Sequence, residues 1–199
     1  MQRLAAAVHA RKDARIVDVV PALGGLALHF DAAFDGALLE AAAALVEECL
    51  GAGLPDAADD ARVVEVPVCY EGELAPDLEL VSSKTGIPIE KVAERHCAAE
   101  YRVLMIGFAP GHAYMGGLDP SLAVPRRASP RAEVPAGSVA IANTQSVIYP
   151  YAIAGGWNVI GRTPLAIFDA RREPPSLFAA GDRVRFRAIG RAEFKKLAG

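Results

Sequence analysis

The residues best suited to chemistry are five arginines, Arg102, Arg126, Arg127, Arg131 and Arg162, set among glycines, prolines and aromatic residues. A guanidinium presents a planar fork of donors that matches a carboxylate or a phosphate. Each arginine reads in two ways: as a cation for an anionic ligand, or as a rim charge paired with a nearby acid. Arg162, followed by Thr163 inside Gly-Arg-Thr-Pro, suits the first reading best. Tyr114, Tyr149 and Trp157 carry large rings with a polar tip, which serve a pocket or a barrel core. Packing is the reading favoured for Trp157. Gln145, between Thr144 and Ser146, offers an amide that can read a carboxylate or another amide. Gly155-Gly156 allows a sharp turn or a close backbone approach to a ligand.

Two histidines sit beside these groups. His112 lies between Gly111 and Ala113, where an imidazole can bind a ligand or move a proton near neutral pH. His96 closes a helical pattern, where a cationic ring complements the helix dipole. His9 and His29 have no constellation around them. Ser138 follows Ala136-Gly137 but lacks the strand-turn-helix setting of a G-x-S-x-G nucleophile. Asp119 and Glu133 are isolated, so paired carboxylates and a metal-ligand cluster are both missing, and no Walker A pattern occurs. No complete catalytic apparatus is visible, which suits a chain that supplies part of a shared site.

The elements that must position these residues follow from punctuation. Between Gly107 and Pro164, glycines and prolines break short apolar runs, the mark of short strands and tight loops. Upstream, Ile16 to Val20 and Leu26 to Phe30 flank Pro-Ala-Leu-Gly-Gly and read as a hairpin. A helix follows, capped by Asp31, with Phe34, Leu38, Leu45 and Cys49 on one stripe and a stop at Gly51 and Gly53. Next come an acidic loop over 55–60 and a strand over 63–68. Two short helices span Asp77 to Thr85 and Pro88 to His96, then strands run from Tyr101 to Phe108 and from Asp182 to Ile189. The helix pair invites a DNA-reading interpretation, but Glu90, Lys91, Glu94 and Arg95 leave the second helix neutral. A helical hairpin is the better reading.

Composition bounds the rest. The 199 residues are 52% apolar and 23% charged with a net charge of -3, so a soluble globular chain is expected and a nucleic-acid surface is not. No apolar run approaches the roughly eighteen residues of a membrane span. The start, MQRLAAAVHARKDA, lacks the apolar core of a signal peptide and reads as the tail of a helix. Cys49, Cys69 and Cys97 are odd in number and widely spaced, which predicts reduced thiols in a cytoplasmic protein.

The motifs Gly107-Phe108, Pro110-Gly111, Tyr114, Gly116-Gly117, Pro125-Arg126 and Pro130-Arg131 carry a resemblance. It continues through Val134-Pro135-Ala136-Gly137-Ser138-Val139, Gln145, Tyr149-Pro150, Gly155-Gly156-Trp157 and Ile160-Gly161-Arg162-Thr163-Pro164. These residues resemble the allophanate hydrolase subunit 1 family, which takes in the B-type subunits of 5-oxoprolinase, a sporulation-kinase inhibitor and part of the carboxyltransferase region of urea carboxylase. The resemblance covers about two-thirds of the chain. It implies an α+β fold: a small N-terminal α/β domain over 1–76, of β-β-α-β order, followed by a cyclophilin-like β-barrel over 77–199.

Its functional implication is a cytoplasmic component of an ATP-dependent 5-oxoprolinase, which opens the lactam of 5-oxoproline to glutamate and is inactive alone. ATP with magnesium would act in the complex. The partners would be a homologous, larger cyclophilin-like protein, the C-type subunit, and a separate A-type subunit. On this reading Arg126, Arg131 and Arg162 bind anionic groups, with Arg102, Gly156, Trp157 and Thr163 also at the substrate. Gln145, Tyr114 and Tyr149 shape the pocket. His96, which matches a family histidine before Tyr-Arg, and His112 are proton or hydrogen-bond partners. The alternatives are a regulator that holds down a sensor histidine kinase and the carboxyltransferase part of a biotin-dependent urea or amide carboxylase. Two departures stand out. His112 occupies a position where relatives usually carry Phe. The extra first strand of relatives is not seen before Met1, which predicts an open sheet edge and self-association.

Overall fold

The structure is a computed structural model that describes residues 1–55 and 61–199. The acidic loop expected over 55–60 therefore lies, apart from Pro55, outside the described residues. The chain divides into two compact units, Met1–Ala61 and Arg62–Gly199.

The first unit has the order α1 (Gln2–Arg11), β1 (Ile16–Pro21), β2 (Leu26–Phe30) and α2 (Leu38–Gly51). The start forms a helix, ended by Lys12 in a left-handed conformation at φ 50. Leu4, Ala5 and Val8 share one face of α1 and pack with Val19 of β1 and with Leu45 and Cys49 of α2. β1 and β2 form the expected antiparallel hairpin, a two-stranded sheet among the described residues. Asp31 does not cap α2. Its carboxylate accepts a hydrogen bond from the Ala33 N–H at 2.7 Å and makes a turn instead. The helix consequently begins only at Leu38, and Phe34 stays outside it, stacked on Phe30.

The second unit is built on a seven-stranded sheet. In chain order its strands are β3 (Val63–Val68), β4 (Tyr101–Ile106), β5 (Ala113–Gly116), β7 (Ser138–Ala142), β8 (Gln145–Ile148), β10 (Asn158–Arg162) and β11 (Arg183–Ala188). In space they run β10-β7-β8-β5-β4-β11-β3. β3, expected with the first hairpin, instead runs parallel to β11. Its inner half is apolar on successive residues, with Val66 and Val68 fully enclosed, as a strand covered on both faces requires. The two edge strands also meet. Cys69, just after β3, exchanges two backbone hydrogen bonds of 2.9 Å with Arg162 at the end of β10. These bonds close the sheet into a barrel, so neither edge is left as a bare ladder there. Gly161 permits the closure: a Cβ on it would sit 2.6 Å from Cγ1 of Val68.

The barrel core is formed by Tyr101, Met115, Ile141, Ile148 and Ile160 together with Val66 and Val68. The two expected helices, α3 (Leu78–Thr85) and α4 (Ile89–Ala98), add Leu78, Val81 and Val92 to it. A short helix, α5 (Arg191–Leu197), follows the last strand and was not anticipated. β6 (Arg131–Val134) and β9 (Ile153–Gly155) pair outside the main sheet as a separate antiparallel ribbon. Among the described residues no helix is long and apolar enough to cross a membrane.

Candidate functional site

The main sheet and the outer ribbon hold a cavity of 250 Å³ between them. His112, immediately before β5, forms part of its wall, and Tyr114 follows on the same strand. Tyr149 enters from the end of β8 and Trp157 from the start of β10. The outer ribbon adds Ala154 and Gly155, with Gly156 just beyond it. Phe108, Pro130 and Arg126 come from loops.

The imidazole of His112 is at the centre of an aromatic cage. Its ring lies 5.4 Å from Phe108, 4.8 Å from Tyr114 and 5.5 Å from Tyr149. Only 2% of the residue is exposed, and Nδ1 is enclosed without a hydrogen-bond partner. Burial holds its pKa down to about 4, with a backbone hydrogen bond of its own opposing, so the ring is neutral at physiological pH. Phe108 covers it in an unusual way. Its φ is 73, a left-handed conformation that costs a residue with a side chain about 1–2 kcal/mol, yet the ring is 71% exposed. Strain of this kind persists where the surroundings impose it and clusters at binding sites.

Arg126 supplies the charge. Its guanidinium lies over the Trp157 ring at 5.2 Å, and no carboxylate of the described residues forms an ion pair with it. It opposes the upward push that burial gives the phenols of Tyr114 and Tyr149. The loop that carries it is fixed by its neighbours. The Arg127 N–H donates to the Gly156 carbonyl at 2.8 Å, and the side chains of Arg127 and Arg131 both reach Asp77. Asp77 is 2% exposed and also accepts the Val159 N–H at 2.7 Å. Burial pushes its pKa up, but these hydrogen bonds and the two arginine charges outweigh that and leave it below the ordinary value.

Six of the residues singled out in the sequence thus come together: His112, Tyr114, Arg126, Tyr149, Gly156 and Trp157. Trp157, expected in the core, does both tasks, packing with Val134 and Val159 while facing the cavity. The others lie elsewhere. Arg131 is turned onto Asp77. Arg162 donates from Nε to the Ala136 carbonyl at 2.8 Å and closes the barrel with its backbone. Thr163 is buried in the turn after β10, where its hydroxyl accepts the Leu165 N–H. Gln145 opens β8 opposite Gly116, and Arg102 is half-buried on β4. His96 is fully enclosed and both ring nitrogens are engaged, Nδ1 with the Tyr70 hydroxyl at 2.8 Å and Nε2 with Ser146 at 3.1 Å. It lies outside the cavity lining, held between Tyr70 and Ser146 as a structural group is.

Phe108, Pro130 and Ala154 are walls that the sequence reading did not assign, and Gly155 joins Gly156 there. Phe108 carried a signal in its place beside Gly107, since a large ring in a glycine-rich turn has no core to enter. Among the described residues no three of His, Cys, Asp or Glu gather as a metal site. What the cavity can do is clear from its groups. It can take a small flat molecule between aromatic walls, set an anionic end against Arg126 and face a neutral imidazole with the other end.

Comparisons with known proteins agree with this fold. The family described as carboxyltransferase domain, subdomain C and D, matches residues 1–178. The B-type subunit of 5-oxoprolinase from Bacillus subtilis (strain 168) is 46% identical over 149 residues, 75% of this chain and 62% of that protein. The same-named protein of Escherichia coli O157:H7 is 46% identical over 127 residues, 64% of this chain and 58% of that one. The chain therefore spans about 60% of the length of these curated relatives. The crystal structure of TTHA0988 superposes with a TM-score of 0.77 at 40% identity, over 94% of this chain and 36% of that one. PH0987 from Pyrococcus horikoshii gives 0.65 at 36% identity, over 97% and 88%. Kluyveromyces lactis urea amidolyase, at 20% identity and a TM-score of 0.77 over 98% of this chain and 13% of that one, shares the fold.

Proposed function

From the premise that the chain belongs to the carboxyltransferase domain, subdomain C and D, family, we propose that it is one component of an ATP-dependent 5-oxoprolinase. The complex would open the lactam of 5-oxoproline to glutamate, with a larger homologous C-type subunit and an A-type subunit as partners. The observation that carries this reading is the 46% identity, over 75% of the chain, to a protein named as the B-type subunit of 5-oxoprolinase. A cytoplasmic setting goes with it, supported by three cysteines that are all free thiols.

The cavity suits the organic substrate. 5-Oxoproline is a flat five-membered ring with one carboxylate, and Arg126 is the unpaired cation at hand. Tyr114, Tyr149 and Trp157 would clasp the ring and keep water from it, with His112 facing the amide edge. A lactam is stable near neutral pH; a phosphoryl group from ATP on its oxygen would make the ring carbon open to water. The C–N bond then breaks with the nitrogen leaving as the amine, and hydrolysis of the resulting acyl phosphate gives glutamate and phosphate. At 250 Å³, with no carboxylate for magnesium among its lining residues, the cavity suits the lactam better than the nucleotide. On this reading nucleotide binding belongs to the partner proteins, and this chain holds and orients the lactam.

The test is 5-oxoproline-dependent ATP hydrolysis and glutamate release, measured with this chain alone, with its partners alone and with both. Activity only in the mixture, lost in Arg126→Gln with folding intact, is the expected result. No activity in any well-folded mixture would move the reading to regulation of a histidine kinase or to another amide.

A further inference from the structure

The charge inventory of the cavity leads beyond its occupancy to its selectivity. The wall holds one cation, Arg126, and no acid. The lining also holds the imidazole of His112, enclosed at 2% exposure with an unpartnered nitrogen. The remaining walls are rings and small apolar groups, with two phenol hydroxyls among them. A ligand can therefore place one negative charge at Arg126 and one neutral hydrogen-bonding edge at His112. Any further charge meets no counter-charge on this lining, and wherever it is turned from solvent that is costly.

Resting on the 5-oxoprolinase reading above, we propose that the cavity selects small, singly charged anions with a neutral polar edge, and that His112, at a position where the resemblance has Phe, adds a specificity-determining contact that a phenyl ring does not make. The ring-opened amino acid is then a poor ligand. Glutamate carries an ammonium for which the wall offers no acid, and a second carboxylate for which it offers no second cation. Opening the ring would thus itself expel the product. A site built to hydrogen-bond a polar edge also rejects a ligand that lacks it, because its own buried group is then left unpaired.

Trp157 makes the test direct, because it is the chain's one tryptophan and lines the cavity. The 199-residue chain is titrated with 5-oxoproline, cyclopentanecarboxylate, 2-pyrrolidinone and L-glutamate. Tryptophan emission is followed, with calorimetry as a second readout. The expected result is 5-oxoproline binding about tenfold or more tightly than each of the other three. In His112→Phe, which keeps a flat ring, the preference over cyclopentanecarboxylate should fall to near unity. In Arg126→Gln the preference over 2-pyrrolidinone should fall likewise. Circular dichroism melts establish that both variants fold. Glutamate binding as tightly as 5-oxoproline, an unchanged preference in His112→Phe, or no calorimetric binding of any of the four overturns the proposal. The two readings fail separately. Selective lactam binding without 5-oxoproline-dependent ATP hydrolysis in the complex removes the 5-oxoprolinase reading alone. Hydrolysis without selective binding removes this one alone.

Discussion

Arg131 donates two hydrogen bonds, 2.7 and 2.9 Å long, to the two carboxylate oxygens of Asp77, fork against fork. The pair joins β6 to the N-terminal end of α3. Arg127 shares the same carboxylate, so the acid anchors the loop on which Arg126 rides. One buried acid thereby sets the position of the cation at the cavity mouth, without facing the cavity itself.

Asp77→Ala should therefore be costly. Removing one partner of an enclosed ion pair leaves uncompensated charge and typically destabilises by about 3–5 kcal/mol. Both arginines stay about a quarter exposed, so water relieves part of this and the lower end is expected here. Urea unfolding measures the loss. A variant as stable as wild type would show that the carboxylate does not anchor this loop.

Gly155→Ala probes the fit between the outer ribbon and the barrel. The added Cβ would fall against the Tyr149 hydroxyl, far inside van der Waals contact, and Tyr149 is 1% exposed with little room to retreat. Overpacking of this kind costs about 1–3 kcal/mol. The double variant Gly155→Ala, Tyr149→Phe removes the clashing oxygen and should recover part of that loss. Simple additivity of the two changes in a double-mutant cycle would place the clash elsewhere.

Much of this organisation was legible in the sequence because it rests on local rules. The hairpin around Pro21 to Gly25, α3 ended by Gly86 and the short strands after Gly107 all follow from periodicity and turn residues. Aromatic residues among glycines and prolines marked three of the walls, since Tyr114, Tyr149 and Trp157 sit on short strands or at their ends. Long-range pairings were not legible. Nothing local tells β3 to run beside β11 across more than a hundred residues, or tells Arg162 to close a barrel with Cys69. The arginines were ambiguous for the same reason. Arg126 and Arg131 look alike in sequence, and only the fold brings Asp77 to one of them. His96 misled because its seclusion comes from Tyr70, Ser146 and Phe186, all distant in the chain.

Phe108→Ala should change the chemistry of His112 more than the stability of the chain. The Phe108 ring meets the imidazole edge to face and is itself mostly in solvent. Its removal admits water to the ring, so the pKa of His112 should climb from about 4 toward the ordinary 6.5. An NMR titration of the histidine ring protons reads this directly. No movement would mean that Tyr114 and Tyr149 alone provide the burial.

Acid should unfold the chain earlier than its carboxylates require, because two histidines are buried neutral. Burial lowers the pKa of His96 from 6.5 to about 3 and that of His112 to about 4. Both folded values lie below the unfolded one, so the unfolded chain binds protons that the native state refuses. The stability held above pH 6.5 is lost as pH falls through the window down to about 4 for His112 and about 3 for His96. Each histidine contributes a slope of up to ~1.4 kcal/mol per pH unit inside its own window. Asp77, held below its usual value by its arginines, adds a loss of the same sign at the acid end. Around His96 the neutral ring is the one that fits. Ser146 Oγ donates to the Ala140 carbonyl, which assigns Nε2–H as the donor to Ser146 and leaves the Nδ1 lone pair for the Tyr70 hydroxyl, so a second ring proton would break that bond. Urea unfolding at pH values from about 7.5 to about 4.5 should show a slope approaching that of two protons. The slope should drop by one proton in His112→Phe, whose replacement ring does not titrate. A flat profile in the wild-type chain would mean that both imidazoles are protonated inside the fold, which this packing forbids.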